Sequence, residues 1–178
     1  AQPRHYGFHG TLVPPFFLKD GVSGHRLLEF TEEFAGKQLA IDLEPLSVKE
    51  IGTFIALVPA GLDALSRLAE ASLRAFHPFR EQPSLAEMER RRSKGLTPAQ
   101  ERLLARWGYP YVLDEYRFHI TMTDSIPDRG KRKMIMQVIA EHAAWLTKTI
   151  HPVRELCLFR QENKDTPFTL IHRAPLGS

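Results

Sequence analysis

The chain has 178 residues, 43% hydrophobic and 25% charged, with a net charge of +3, a pI near 9.1 and a single cysteine. That length builds a sizeable core without staples, and the lone Cys157, set in the apolar run Leu156-Cys157-Leu158-Phe159, excludes an internal disulfide and reads as a buried, inert thiol. No apolar run approaches the roughly 20 residues of a membrane helix and no leader pattern precedes Tyr6, so a cytoplasmic protein with no membrane partner is expected, its mild basicity suiting an anionic substrate better than a long nucleic acid.

Residues 5–13 read as a strand stopped by Pro14-Pro15, whose missing amide donors end a ladder. Leu27, Leu28, Phe30, Phe34 and Ala35 recur at helical spacing over 24–37, with Ser23 as the cap. Residues 39–43 and 52–58 are rich in strand formers and read as two antiparallel strands joined near 47–51. A helix over 62–76 follows. His77 to Pro83 is a proline-broken loop, and Ser84 to Lys94 a charged helix stopped by Gly95. Thr97-Pro98-Ala99-Gln100 is a strong helix start: threonine caps, proline takes the first helical position, and glutamine reaches back three residues. Gly108 ends that helix.

Tyr109-Pro110-Tyr111 is a rigid turn, residues 117–125 a strand, and Pro127-Asp128 the start of a long helix with its stripe at 134, 135, 138, 139, 142 and 145–146. Strands at 153–159 and 168–171 close the chain as a hairpin turning at 162–167. The order implies an α+β fold of two antiparallel-sheet lobes with helices packed outside, related by a pseudo-twofold axis across a cleft. Lobe one covers about 1–76, an insertion that forms a lid or cleft wall about 77–112, and lobe two about 113–178.

Two stretches share one pattern: Phe8-His9-Gly10-Thr11-Leu12 and Phe118-His119-Ile120-Thr121-Met122. In an extended strand His9 and Thr11 point one way while Phe8 and Leu12 point the other, towards a core; His119 and Thr121 repeat this against Phe118, Ile120 and Met122. Two imidazoles and two hydroxyls facing one phosphate supply what a cyclic phosphodiester needs. One histidine takes a proton from attacking water, the other gives a proton to the departing ring oxygen, and the hydroxyls donate to the non-bridging oxygens. The scheme requires no metal or other cofactor. Arg117 falls two residues before His119, on the same strand face, and adds a cationic clamp.

The paired His-x-Thr motifs resemble the 2H (two-histidine) phosphoesterase superfamily. Tyr6-Gly7-Phe8-His9-Gly10-Thr11-Leu12, Trp107-Gly108-Tyr109-Pro110-Tyr111 and Arg117-Phe118-His119-Ile120-Thr121-Met122-Thr123 are most similar to a bacterial branch described as phosphonate-metabolism proteins of unknown function. The resemblance implies metal-independent phosphoester chemistry with His9 and His119 catalytic and Thr11 and Thr121 binding phosphate. It also implies a substrate such as a ribose cyclic phosphate made during phosphonate degradation. Members of that branch usually carry a further strand-bearing segment before the first motif; here only a few residues precede Tyr6, and loss of that segment would take a strand from the first lobe.

Tyr6, Arg117, Tyr111 and Arg80 are candidate substrate contacts, and the partner is a small phosphorylated compound, a nucleotide or an RNA end. Alternative readings are an RNA-end 2′,3′-cyclic phosphodiesterase or 2′,5′ ligase, and a non-catalytic module that binds a cyclic nucleotide or RNA end. The sequence leaves the oligomeric state open, and which histidine is acid and which base.

Overall fold

The computed structural model describes residues 7–163 and 165–177. It is a mixed α/β structure of small antiparallel sheets and, among the described residues, five α-helices. Internal contacts group the chain into two compact units. The first takes residues up to Thr11, Thr31–Leu62 and everything from Phe118; the second takes Leu12–Phe30 and Asp63–Arg117. Helix α1 (Gly24–Gly36) contributes residues to both. No helix among the described residues is long and apolar enough to cross a membrane.

The first unit is built on a three-stranded antiparallel sheet in the order β2 (Leu46–Ile51), β3 (Phe54–Pro59), β4 (Ile120–Thr121). The stretch expected to join two strands near 47–51 is itself β2. Gly52, at φ 59, turns β2 directly into β3, as glycine does where a tight hairpin needs a left-handed residue. Strand β1 (Ile41–Leu43) instead pairs with β5 (His151–Val153). The closing hairpin expected from the sequence forms as β6 (Glu155–Arg160) with β7 (Thr169–Pro175), its register slipping between Leu158 and Phe159. Cys157 lies on the exposed side of β6, contrary to the buried reading: Leu156 takes the inward position and alternation turns its neighbour out. Partial burial of its sulfur still pushes the thiol pKa up, which disfavours a nucleophile.

The expected motif strands are shorter than the sequence suggested. Regular pairing near the second motif is confined to Ile120–Thr121, and the described part of the first is a single bridge at Gly10. Beyond β4 the chain stays zipped to β3 by other means. Met122 N donates to the Ile55 carbonyl at 2.9 Å, Thr123 Oγ1 accepts from Ile55 N at 3.0 Å, and the Thr53 and Ser125 hydroxyls bond at 2.7 Å.

Helix α5 (Arg129–His142) is capped by Asp128, whose Oδ1 accepts from Lys131 N, and packs against β2 and β3. Its buried anchor is a charge. Arg132 Nε meets Glu50 Oε2 at 3.1 Å, and Nη1 donates to the Ile126 and Pro127 carbonyls. The expected stripe is covered only in part: Met134, Val138, His142 and Trp145 are exposed, while Ile135 and Ile139 turn inward with Met136, and Ala143 and Leu146 are buried after the helix ends. This helix is apolar on two sides, so periodicity alone could not choose between them.

In the second unit, helices α2 (Asp63–Phe76), α3 (Leu85–Arg92) and α4 (Pro98–Trp107) follow the sequence expectation closely. Thr97 and Gln100 form the complete reciprocal capping box, and Gly108 closes α4 at φ 70. Leu73, Trp107 and Val112 make a buried cluster; Phe30 stacks edge-on against Phe76.

Because the Arg132 guanidinium satisfies two carbonyls and a carboxylate in a buried place, Arg132→Ala should cost about 2–3 kcal/mol in urea unfolding. A loss under about 0.5 kcal/mol, the range of an ordinary surface change, would show that the helix is held by apolar contacts instead.

Candidate active site

Glycine at position 10 has a steric cause. A Cβ built there would sit 2.2 Å from the Phe118 ring, which occupies the space where a side chain would be. Phe118 is buried, so the ring has no easy retreat. With that space open, Gly10 bridges antiparallel to Ile120. Ile120 is also level with Leu57 on its other side, so this pairing extends the β2–β3–β4 sheet by one position.

The register decides the rest. Continued by one residue on each side, antiparallel pairing of Gly10 with Ile120 brings His9 level with Thr121 and Thr11 level with His119. Alternation then puts all four on one face, opposite the face of Ile120, Leu57 and Ile55. The four positions form the corners of a rectangle, with the histidines on one diagonal and the threonines on the other. Diagonal neighbours in a sheet are about 7–8 Å apart, a span that a phosphate group bridges. Glu50, level with Ile55 on β2, lies on the opposite face, so its pairing with Arg132 braces the sheet from behind.

Hydrogen bonds fix the first imidazole. His9 Nδ1 lies 3.1 Å from the Gly7 carbonyl, and Nε2 lies 3.1 Å from Thr11 Oγ1. A carbonyl oxygen only accepts, so Nδ1 carries a proton, and in a neutral ring Nε2 accepts from the Thr11 hydroxyl. Gly7 reaches this position at φ 70, a conformation that favours glycine. The Phe159 ring lies 5.8 Å from the His9 ring, and the Phe54 ring 5.7 Å from that of His119. Phe54 lies two residues before Ala56, which is level with Thr121, so alternation puts it on the same face as Ala56. Neither phenylalanine was distinguishable beforehand, because their significance depends on the pairing of separate strands. Ala56 is small and fully buried, so the second motif lies close against β3.

Other expected contacts fall differently. Phe8 is 66% exposed and anchors nothing, since the first motif is bridged at one residue and its outer side faces solvent. Arg117 precedes the paired residues of β4 and belongs to the second unit, so alternation along a strand gives it no defined face. Tyr111 and Arg80 also belong to the second unit. Tyr111 is exposed and packs edge-on against Tyr109 at 5.8 Å, while Arg80 is buried. Tyr6 lies outside the described residues. No group of three or more His, Cys, Asp or Glu side chains among the described residues is arranged to hold a metal ion.

Residues 11–169 match the family described as protein of unknown function (DUF1045). The chain belongs to that family. The matched stretch contains Thr11, His119 and Thr121, and begins two residues after His9. Two curated proteins are similar to this DUF1045 chain along nearly its whole length. One from Janthinobacterium sp. (strain Marseille), named ribose 1,5-bisphosphate phosphokinase PhnN, is 35% identical over 99% of this chain and 40% of its own length. One of the same name from Laribacter hongkongensis (strain HLHK9) is 31% identical over 96% of this chain and 39% of its own. The chain thus spans about two fifths of the length of the curated relatives it matches. No solved structure matches it significantly.

Since a methyl group at position 10 must displace the Phe118 ring, Gly10→Ala should cost about 1–3 kcal/mol of stability by denaturant titration, as overpacking does. Unchanged stability would mean that the two motifs are not held in this register.

Proposed function

We propose that the chain is a metal-independent phosphodiesterase that opens a small cyclic phosphate, with His9 and His119 as its general acid–base pair. The observation that carries this is the register: one bridge sets two imidazoles and two hydroxyls at alternate corners of one face. In-line displacement puts the attacking and leaving oxygens on opposite sides of phosphorus, and histidines on a diagonal suit that requirement. One imidazole takes a proton from water as its oxygen bonds to phosphorus. The phosphorus–oxygen bond of the ring breaks, and the other imidazole protonates the departing alkoxide. The product is a phosphomonoester, and solvent resets both protons. Thr11 and Thr121 donate to the non-bridging oxygens, where charge builds up. Tyr6 is a proposed contact for the rest of the substrate. Membership of the two-histidine phosphoesterase superfamily, with its pseudo-twofold pair of lobes, is part of the same proposal.

The relatives' name supports a sugar phosphate as substrate in phosphonate degradation. Opening a ribose cyclic phosphate yields a ribose phosphomonoester, the class of compound that the name contains. The name also denotes a kinase, but it belongs to polypeptides of which this chain spans two fifths. The Gly-Lys pairs here, Gly36-Lys37 and Gly130-Lys131, are followed by Gln38 and Arg132, where a phosphate-cradling nucleotide loop needs serine or threonine. A hydrolase reading therefore fits this segment better.

Phosphorus NMR with chelator present tests the proposal on ribose cyclic phosphates, the nucleoside 2′,3′-cyclic phosphates and a short RNA with a cyclic end. One of the ring-strained phosphates should open, and His9→Ala and His119→Ala should each slow that step by roughly 10²–10⁴-fold. Turnover should be bell-shaped in pH, because one group must be deprotonated and the other protonated. Tight binding without opening would move the chain to the class of binding modules. A flat profile from about pH 5 to about pH 9 would rule out the paired-histidine scheme.

A further inference from the structure

An arginine carries a permanent charge and five N–H donors, so a buried one must meet acceptors or bear the full cost of lost hydration. Arg80, in the second unit, does not meet them. It follows the short turn His77–Phe79 and is pinned by its backbone: its N donates to the His77 carbonyl at 3.1 Å, and the residue bridges to Leu18. The adjacent Glu81 N donates to the Phe17 carbonyl at 2.8 Å. The side chain is therefore carried inward by a rigid segment, and the residue is only 8% exposed.

Its Nε and Nη1 are buried and have no hydrogen-bond partner among the described residues. Its guanidinium carbon lies 5.7 Å from the Phe16 ring, which offers a weak attraction but no acceptor. Burial, and then the charge of nearby Arg91, hold its pKa below the usual arginine value; no carboxylate counters them.

Arg91 adds a third unmet donor. It sits 4.5 Å over the Tyr109 ring and gives Nη2 to Glu87 at 2.6 Å, while its Nε is buried without a partner. Glu87 is shared with Arg90, so one carboxylate answers two guanidinium groups and leaves Arg80 unanswered. A fourth unmet atom is His77 Nδ1, whose ring packs on Trp107 at 4.9 Å. Burial, Arg80 and Arg106 lower the His77 pKa, so the imidazole tends to stay neutral beside these cations.

We propose that Arg80 and Arg91, with His77 beside them, bind a phosphate-type oxyanion within the second unit. A tetrahedral oxyanion has the several acceptor lone pairs that separate N–H donors require, and its negative charge matches the surplus of guanidinium charge. Every residue invoked belongs to the second unit, so the proposal is independent of the paired histidines. The anion is inorganic phosphate or the phosphoryl group of a phosphomonoester such as a sugar phosphate.

Thermal unfolding of the whole chain, in chloride and in inorganic phosphate at matched ionic strength, tests this with wild type, Arg80→Met and a His9→Ala/His119→Ala double variant. In chloride, Arg80→Met should unfold roughly 2–4 °C above wild type, since an apolar chain replaces an unanswered buried cation. In phosphate, wild type and the double histidine variant should both gain stability, while Arg80→Met should gain less than wild type, keeping only what binding at the paired motifs supplies. Calorimetry with inorganic phosphate and with ribose 5-phosphate should show which source is preferred. There Arg80→Lys, which keeps the charge but not the fork, should bind about tenfold more weakly. No gain in phosphate over chloride, an equal gain in Arg80→Met, or unchanged affinity in Arg80→Lys overturns the proposal. A gain lost only in the double histidine variant places the anion at the paired motifs, which overturns this site and leaves the hydrolase reading standing.

Discussion

A single backbone bridge, Gly10 to Ile120, determines the candidate site, and it exists because position 10 has no side chain. The Phe118 ring fills that space, and the two motifs lie side by side with the ring beneath. Register does the chemical selection, since a slip of one residue would turn every histidine and threonine to the other face. Strand β3 fixes the second motif from its far side through Leu57 and Ala56, and the Arg132–Glu50 pair braces the sheet from the opposite face. The orientation of His9 is fixed locally, by the Gly7 carbonyl and the Thr11 hydroxyl.

What was legible in the sequence was what local chemistry decides. The Thr97 capping box, the Ser23 and Asp128 caps and the Gly108 stop all formed, because a cap bonds within its own helix turn. The two His-x-Thr motifs were visible as a repeated pattern, and His9 does meet Thr11, at 3.1 Å. Strand length was not legible: a ladder depends on a distant partner, and 117–125 finds regular pairing only at Ile120–Thr121. The same cause hid β2 in a stretch read as a connection. Phe8 misled because its apolar character implied a core that its one-residue bridge does not reach. Helix α5 misled through Met134, Val138 and Trp145, which form an apolar stripe as regular as the one that packs.

The second unit poses a different physical problem. Its helices are held by ordinary apolar clusters, yet it carries a guanidinium whose buried Nε and Nη1 nothing among the described residues answers. Sequence could raise Arg80 as a substrate contact but could not show this, since an arginine in a proline-flanked loop normally reaches solvent. The two proposals thus call on two kinds of anion chemistry. In the proposed phosphodiesterase, titratable groups would surround a reacting phosphorus; in the proposed oxyanion site, permanent charges would hold a phosphoryl group that does not react.

The most direct test of the central claim is to follow the imidazole NMR signals of His9 and His119 during titration with inorganic phosphate, in an Arg80→Met background that removes the second anion site. If the bridge sets both histidines on one face around one anion, the two signals shift together with one dissociation constant, and His9→Ala or His119→Ala weakens the response of the partner that is left. Movement of one signal alone, or of the two with separate constants, would contradict a shared site and the mechanism built on it.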